Sequence, residues 1–146
     1  MLSEAQVAHY HENGFVIPDY RLSEETLDAI RDDHARLLRS HPEFHDYCPQ
    51  LLAWDLSFLN YARDPEILDM IGQIIGPDFA LWNSSFFAKP ALNGYKTPWH
   101  QDGETGRSGR SLRARFGWRL TTPPWKTAVL TTCRVRTKCV NCARIN

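Results

Sequence analysis

Apolar residues along the first half of the chain recur at helical spacing, and each recurrence is framed by start and stop signals. Ser3-Glu4-Ala5-Gln6 has the form of a capping box, with Gln6 able to reach back to the cap's own N–H. Gly14 supplies the stop, since helices often end on a residue of positive φ. Phe15-Val16-Ile17 then predicts a short strand that Pro18 ends. A second helix is predicted from Ser23, with Glu24 and Glu25 at the positive end of its dipole. Leu27, Ile30, Leu37 and Leu38 give it one buried stripe, and Pro42 closes it. His41 to Gln50, aromatic and polar, predicts a loop. Leu51 to Tyr61 predicts one short helix. Pro65 suits the first turn of another, whose apolar face is Ile67, Leu68, Ile71, Ile74 and Ile75 and whose end is Gly76-Pro77. The aromatic run Phe79 to Lys89 predicts one or two strands, Asn93-Gly94 a hairpin turn, and Thr97 to Gly103 a strand edge entering a turn. Helices first and strands afterwards imply an α+β chain or a helix-backed barrel.

Composition adds little until it is resolved along the chain. Hydrophobic content of 42% and charged content of 23% are ordinary for one globular domain, and 146 residues suffice for one core. The opening residues carry acids and no apolar segment, so no secretory signal is expected, and no apolar run is long enough for a bilayer. A cytoplasmic protein with no membrane partner is the resulting expectation. The formal net charge of zero is misleading, however. All 17 acidic residues lie in 1–104, whereas 105–146 carries ten of the 17 basic ones, no acid, no histidine, and Cys133, Cys139 and Cys142. Such a break marks a domain boundary, a basic arm, or a change in how the chain is encoded.

The residues with the clearest chemistry are His100 and Asp102. In an extended segment residues i and i+2 share a side, so this pair presents an imidazole and a carboxylate together while Gln101 faces away. With a second histidine from a distant strand, that set is the facial triad of non-haem iron(II) oxygenases. By itself His-x-Asp is most often a solvated loop pair, so its surroundings decide the matter.

Those surroundings are Leu81-Trp82-Asn83-Ser84-Ser85-Phe86-Phe87-Ala88-Lys89-Pro90, then Asn93-Gly94, then Thr97-Pro98-Trp99-His100-Gln101-Asp102-Gly103. Together they closely resemble bacterial members of the phytanoyl-CoA dioxygenase family. The helix leading into Asn13-Gly14-Phe15-Val16-Ile17 and the helix from Asp64-Pro65 to Ile75-Gly76-Pro77 are similar as well. The resemblance covers residues 1 to about 104. It implies N-terminal helices followed by the first strands of a double-stranded β-helix (jelly roll), here truncated. It also implies hydroxylation of an unactivated C–H bond of a small organic or acyl-CoA substrate, with iron(II) as cofactor and 2-oxoglutarate as co-substrate going to succinate and CO₂. On this resemblance His100 and Asp102 are metal ligands, and Trp99 and Lys89 line the cofactor site. Packing and a surface charge are equally open readings of those last two.

Beyond Glu104 the family pattern would continue with an aromatic pair, an E-N-G-x-L turn, and a P-G-S-H whose histidine is the third iron ligand. A later arginine would bind the far carboxylate of 2-oxoglutarate. None of these motifs appears in 105–146, and its arginines follow no P-G-S-H. Loss of one nucleotide just after codon 104 accounts for this. Taking the last base of each codon with the first two of the next, the Trp125-Lys126 junction must read Glu. The junctions through Leu130 then permit Asn, Gly, Cys and Leu, and Cys133 to Thr137 permit Pro, Gly, Ser, His. Thr105-Gly106-Arg107 permits Tyr-Trp-Pro once a base is restored. The expectation is therefore a dioxygenase part over 1–104 and an unstructured, frameshifted basic tail over 105–146, inactive as it stands.

Two other readings compete. Ten positive charges with Trp118 and Trp125 would suit a nucleic-acid-binding arm in a non-enzymatic protein, although they form no stripe or recognisable module. Cys139-Val140-Asn141-Cys142 with Cys133 would need a fourth ligand, such as Cys48, to hold zinc. His9, His11, His34, His41 and His45 are expected at the surface.

Overall fold

The computed structural model describes residues 1–88, 97–98 and 114–118. They form an α+β arrangement in which helices carry most of the packing and a two-stranded antiparallel sheet closes one side. Helix α1 (Glu4–Asn13) starts on the Ser3–Gln6 capping box, with both reciprocal hydrogen bonds made. It stops at Gly14, where φ is +83° and the N–H donates to the Tyr10 carbonyl. Helix α2 (Glu24–Ser40) is capped by the Ser23 hydroxyl and buries Ile30 and Leu37, two of the four predicted positions. Helix α5 (Pro65–Ile75) takes Asp64 as its cap and buries Ile67 and, deeper than the predicted Leu68, Met70.

Between α2 and α5 the structure departs from the sequence reading. The predicted loop 41–50 holds a 3₁₀ turn (Pro42–Phe44) and strand β1 (Tyr47–Cys48). The single helix predicted over 51–61 is three short pieces: α3 (Leu51–Trp54), a 3₁₀ turn (Leu56–Phe58) and α4 (Leu59–Ala62). Asp55 causes the break. Its extended backbone stops α3, and its carboxylate accepts from the Ser57 N–H at 2.9 Å, competing with helix continuation. Phe15-Val16-Ile17 is not assigned as a strand, and no segment among the described residues pairs with it. Val16 instead packs into the core and Ile17 is left exposed. Of the predicted strand run Phe79 to Lys89, whose last residue lies outside the described ones, β2 (Phe86–Phe87) alone is paired among the described residues, with Tyr47 opposite Phe87 and Cys48 opposite Phe86.

Two apolar clusters result. Leu37, Cys48, Leu51 and Phe58 form the first, with Phe44, Leu52, Tyr61 and Phe86 around them. Leu2, Ile67 and Met70 form the second, covered by Val7, Val16, Tyr20, Ile71 and Ile74 and also by Phe116 and Trp118. The last two belong to the stretch expected to be unstructured. The Gln73 amide bonds both backbone groups of Leu2, accepting at 2.7 Å and donating at 2.9 Å, and so ties the N-terminus to α5. Among the described residues no helix is long and apolar enough to cross a membrane.

Candidate functional site

Lys89, Trp99, His100 and Asp102 lie outside the described residues, as do Asn93-Gly94, Cys133, Cys139 and Cys142. The structure does show the frame from which the Lys89–Gly103 segment departs. Besides the β1–β2 pairing, the Leu51 N–H donates to the Ser84 carbonyl at 2.9 Å and the Ala88 N–H to the Asp46 carbonyl at 2.9 Å. Residues 84–88 are therefore held at both ends of β2. Side chains alternate across this strand as the pleat requires. Phe86 points inward, its ring 5.2 Å from Phe58 and 4.6 Å from His34, while Phe87 faces out, 4.8 Å from Tyr47 and 61% exposed.

His34 is where the expectation of surface histidines fails. It projects from α2 beneath Phe86, and its Nε2 is buried with no hydrogen-bond partner. Burial lowers its pKa below the ordinary 6.5, because charging the ring there forfeits hydration with nothing to replace it. A signal existed in the sequence: His34 is four residues from Ile30 and three from Leu37, on the stripe itself. The other described histidines are engaged elsewhere. His9 meets Phe15 edge-on at 5.2 Å, His11 lies beside Tyr10, His41 packs against Phe44 and Trp54 and pairs with Glu43, and His45 pairs with Asp46.

Cys48 is fully buried in the first cluster, and its thiol pKa is raised by burial and then by Glu43. The three cysteines that would share a zinc ion with it, Cys133, Cys139 and Cys142, lie outside the described residues. Cys48 packs as a small apolar residue.

The most connected polar group joins α2 to the α3–α4 region. Arg36 bonds Asp33 one turn back, the Asp55 carboxylate at 2.8 Å and the Ser57 hydroxyl at 3.1 Å, while the Tyr61 hydroxyl donates to Asp33 at 2.7 Å. Burial, then the Asp33 hydrogen bond, push the Tyr61 pKa up to about 12. Tyr20, donating to Asp64 at 2.8 Å, is likewise pushed up to about 12 by burial and that bond. Both phenols stay protonated at neutral pH, so these are ties between elements rather than acid–base groups.

Two shallow depressions flank α1. One, of about 380 Å³, is lined by Leu2, Val7, His11 and Gln73; the other, of about 400 Å³, by Gln6, His9, Phe15 and Ile17. Neither brings together a nucleophile and a base. Among the described residues no group of three or more His, Cys, Asp or Glu side chains could hold a metal. No family model, no curated protein and no solved structure matches this chain.

Proposed function

We propose that residues 1–104 are the N-terminal part of an iron(II)- and 2-oxoglutarate-dependent dioxygenase of the phytanoyl-CoA dioxygenase type. The observation that carries the reading is the phrase Leu81 to Gly103, which ends in Trp99-His100-Gln101-Asp102-Gly103. Its support in the fold is positional. A helical unit precedes the first paired strand, and β2 with its flanking hydrogen bonds delivers the chain into the segment that bears the two ligands. On this reading β2 opens a jelly roll whose remaining strands would come from sequence beyond Glu104.

His100 and Asp102 would hold the iron, with Trp99 and Lys89 beside it. Bound together, iron(II) and 2-oxoglutarate supply oxidation of an unactivated C–H bond. The donor set is incomplete, however. The tail carries no histidine, and the described histidines are committed to packing or to neighbouring carboxylates. Two protein donors hold iron less securely than three and leave the 2-oxoglutarate carboxylate without its arginine, so no turnover is derived for this chain.

The test compares the chain as it stands with one in which a single nucleotide is restored after codon 104. With iron(II) and 2-oxoglutarate, the original is expected to release no succinate above background, and the restored chain to release it in a His100-dependent manner. Succinate release from the original, or none from a folded restored chain, would overturn the proposal.

A further inference from the structure

The tail residues 114–118 form neither helix nor paired strand, and their burial alternates residue by residue. Ala114, Phe116 and Trp118 are half-buried, whereas Arg115 and Gly117 are exposed. A Cβ added at Gly117 would meet nothing within 4 Å, as expected for a position facing away from the body. Phe116 and Trp118 meet each other edge-on at 5.6 Å, and both pack against the second cluster, whose buried members are Leu2, Ile67 and Met70. The Trp118 indole N–H is buried without a partner, so this ring is held by shape and apolar burial rather than by a hydrogen bond of its own.

That second cluster needs a cover. Helix α1 contributes no fully buried residue, and α5 is apolar around much of its circumference. The body is also acidic and the tail basic, which favours their association over any length that solvent does not screen.

We propose that residues 114–118 are a strap acting in cis, which completes the core between α1 and α5 and makes the stability of α5 depend on the tail. Its warrant is the packing of Phe116 and Trp118, and it does not rest on the dioxygenase reading. A chain with its tail strapped down in this way does not offer a wholly free basic arm.

Two measurements test the strap. A protease must draw several residues of extended chain into its cleft, and a docked strap cannot enter. Trypsin is therefore expected to cut Arg115–Phe116 in the intact chain about tenfold more slowly, or slower still, than in an isolated 110–122 peptide. Equal rates would overturn the proposal, and this comparison requires no variant to fold. Secondly, Phe116→Ala with Trp118→Ala is expected to speed amide exchange in α5 about tenfold while leaving α2 unchanged. Trp118→Phe keeps an aromatic cover, removes the unpartnered N–H, and is expected to retain α5 protection. Unchanged α5 exchange in the double variant, or loss of α5 and α2 protection together, would contradict a strap specific to the second cluster.

Discussion

Gln50 shows how a single residue can carry a cost that its neighbours impose. It stands between β1 and α3 with φ of +51° and ψ of +47°, a left-handed conformation that a side chain disfavours. Its side chain is exposed. Gln50→Gly is therefore expected to raise stability by about 0.5–1 kcal/mol, read from the urea midpoint; a lower midpoint would mean the side chain makes a contact that matters. His34 makes the corresponding case for charge. Its folded pKa is lowered, so the unfolded chain binds more protons near the ordinary value of 6.5. Stability linked to His34 is thus present above 6.5 and is lost as pH falls through and below it. Unfolding followed at pH 7.5 and pH 5 should show this acid limb, and His34→Leu should flatten it. A wild-type slope in the variant would place the acid sensitivity elsewhere. The spacing of His34 from Ile30 and Leu37 was the one sign of this in the sequence. A histidine on a helix looks solvated until the strand that covers it is placed, and β2 pairs with a segment that reads as a loop.

Among elements, the ends of helices were the most legible. Ser3, Ser23 and Asp64 all cap the helices that follow them, and Gly14 and Gly76 stop theirs, because caps act within a few residues and need no distant partner. The strands were the least legible. Phe15-Val16-Ile17 has strand composition but finds no ladder among the described residues, while Tyr47-Cys48, inside a polar stretch that reads as a loop, pairs with Phe86-Phe87. Asp64 acts at two levels, accepting from the α5 amides and from the Tyr20 hydroxyl. Asp64→Ala is expected to cost about 1–2 kcal/mol from the cap alone, with α5 the element that loses exchange protection first. The tyrosine ties add an alkaline limb. Tyr20 and Tyr61 hold their protons up to about pH 12 in the folded state. The stability they contribute is complete below the ordinary value of 10 and is lost as pH rises through 12. Tyr20→Phe with Tyr61→Phe should reduce that alkaline loss in a pH series of urea midpoints, and an unaltered limb would contradict the assignment.

At the scale of the whole molecule, the described residues form a helical body with a small sheet, and large apolar side chains are exposed on its strands and in the stretch before the second one. Leu81 is 52% exposed, Trp82 92% and Phe87 61%, beside Tyr47 at 44%. Large apolar side chains left exposed in this way are an aggregation risk unless further chain packs on them. Concentration-dependent light scattering is expected for the chain as it stands, and Trp82→Ser with Phe87→Ser should reduce it; a dilute monomer at all concentrations would argue that these side chains are covered. The reading of His100 and Asp102 rests on the sequence phrase alone, since both lie outside the described residues; the fold describes strand β2, which precedes them in the chain. The composition break after Glu104 remains the feature that any reading of this protein must explain.

The nucleotide sequence from codon 100 through codon 146 bears on it most directly. If residues 1–104 are the front of a dioxygenase displaced from its continuation, shifting the frame by one base after codon 104 will open a reading with E-N-G-x-L and, later, P-G-S-H. A stop codon in that frame before P-G-S-H, or codons there that encode neither motif, would contradict it.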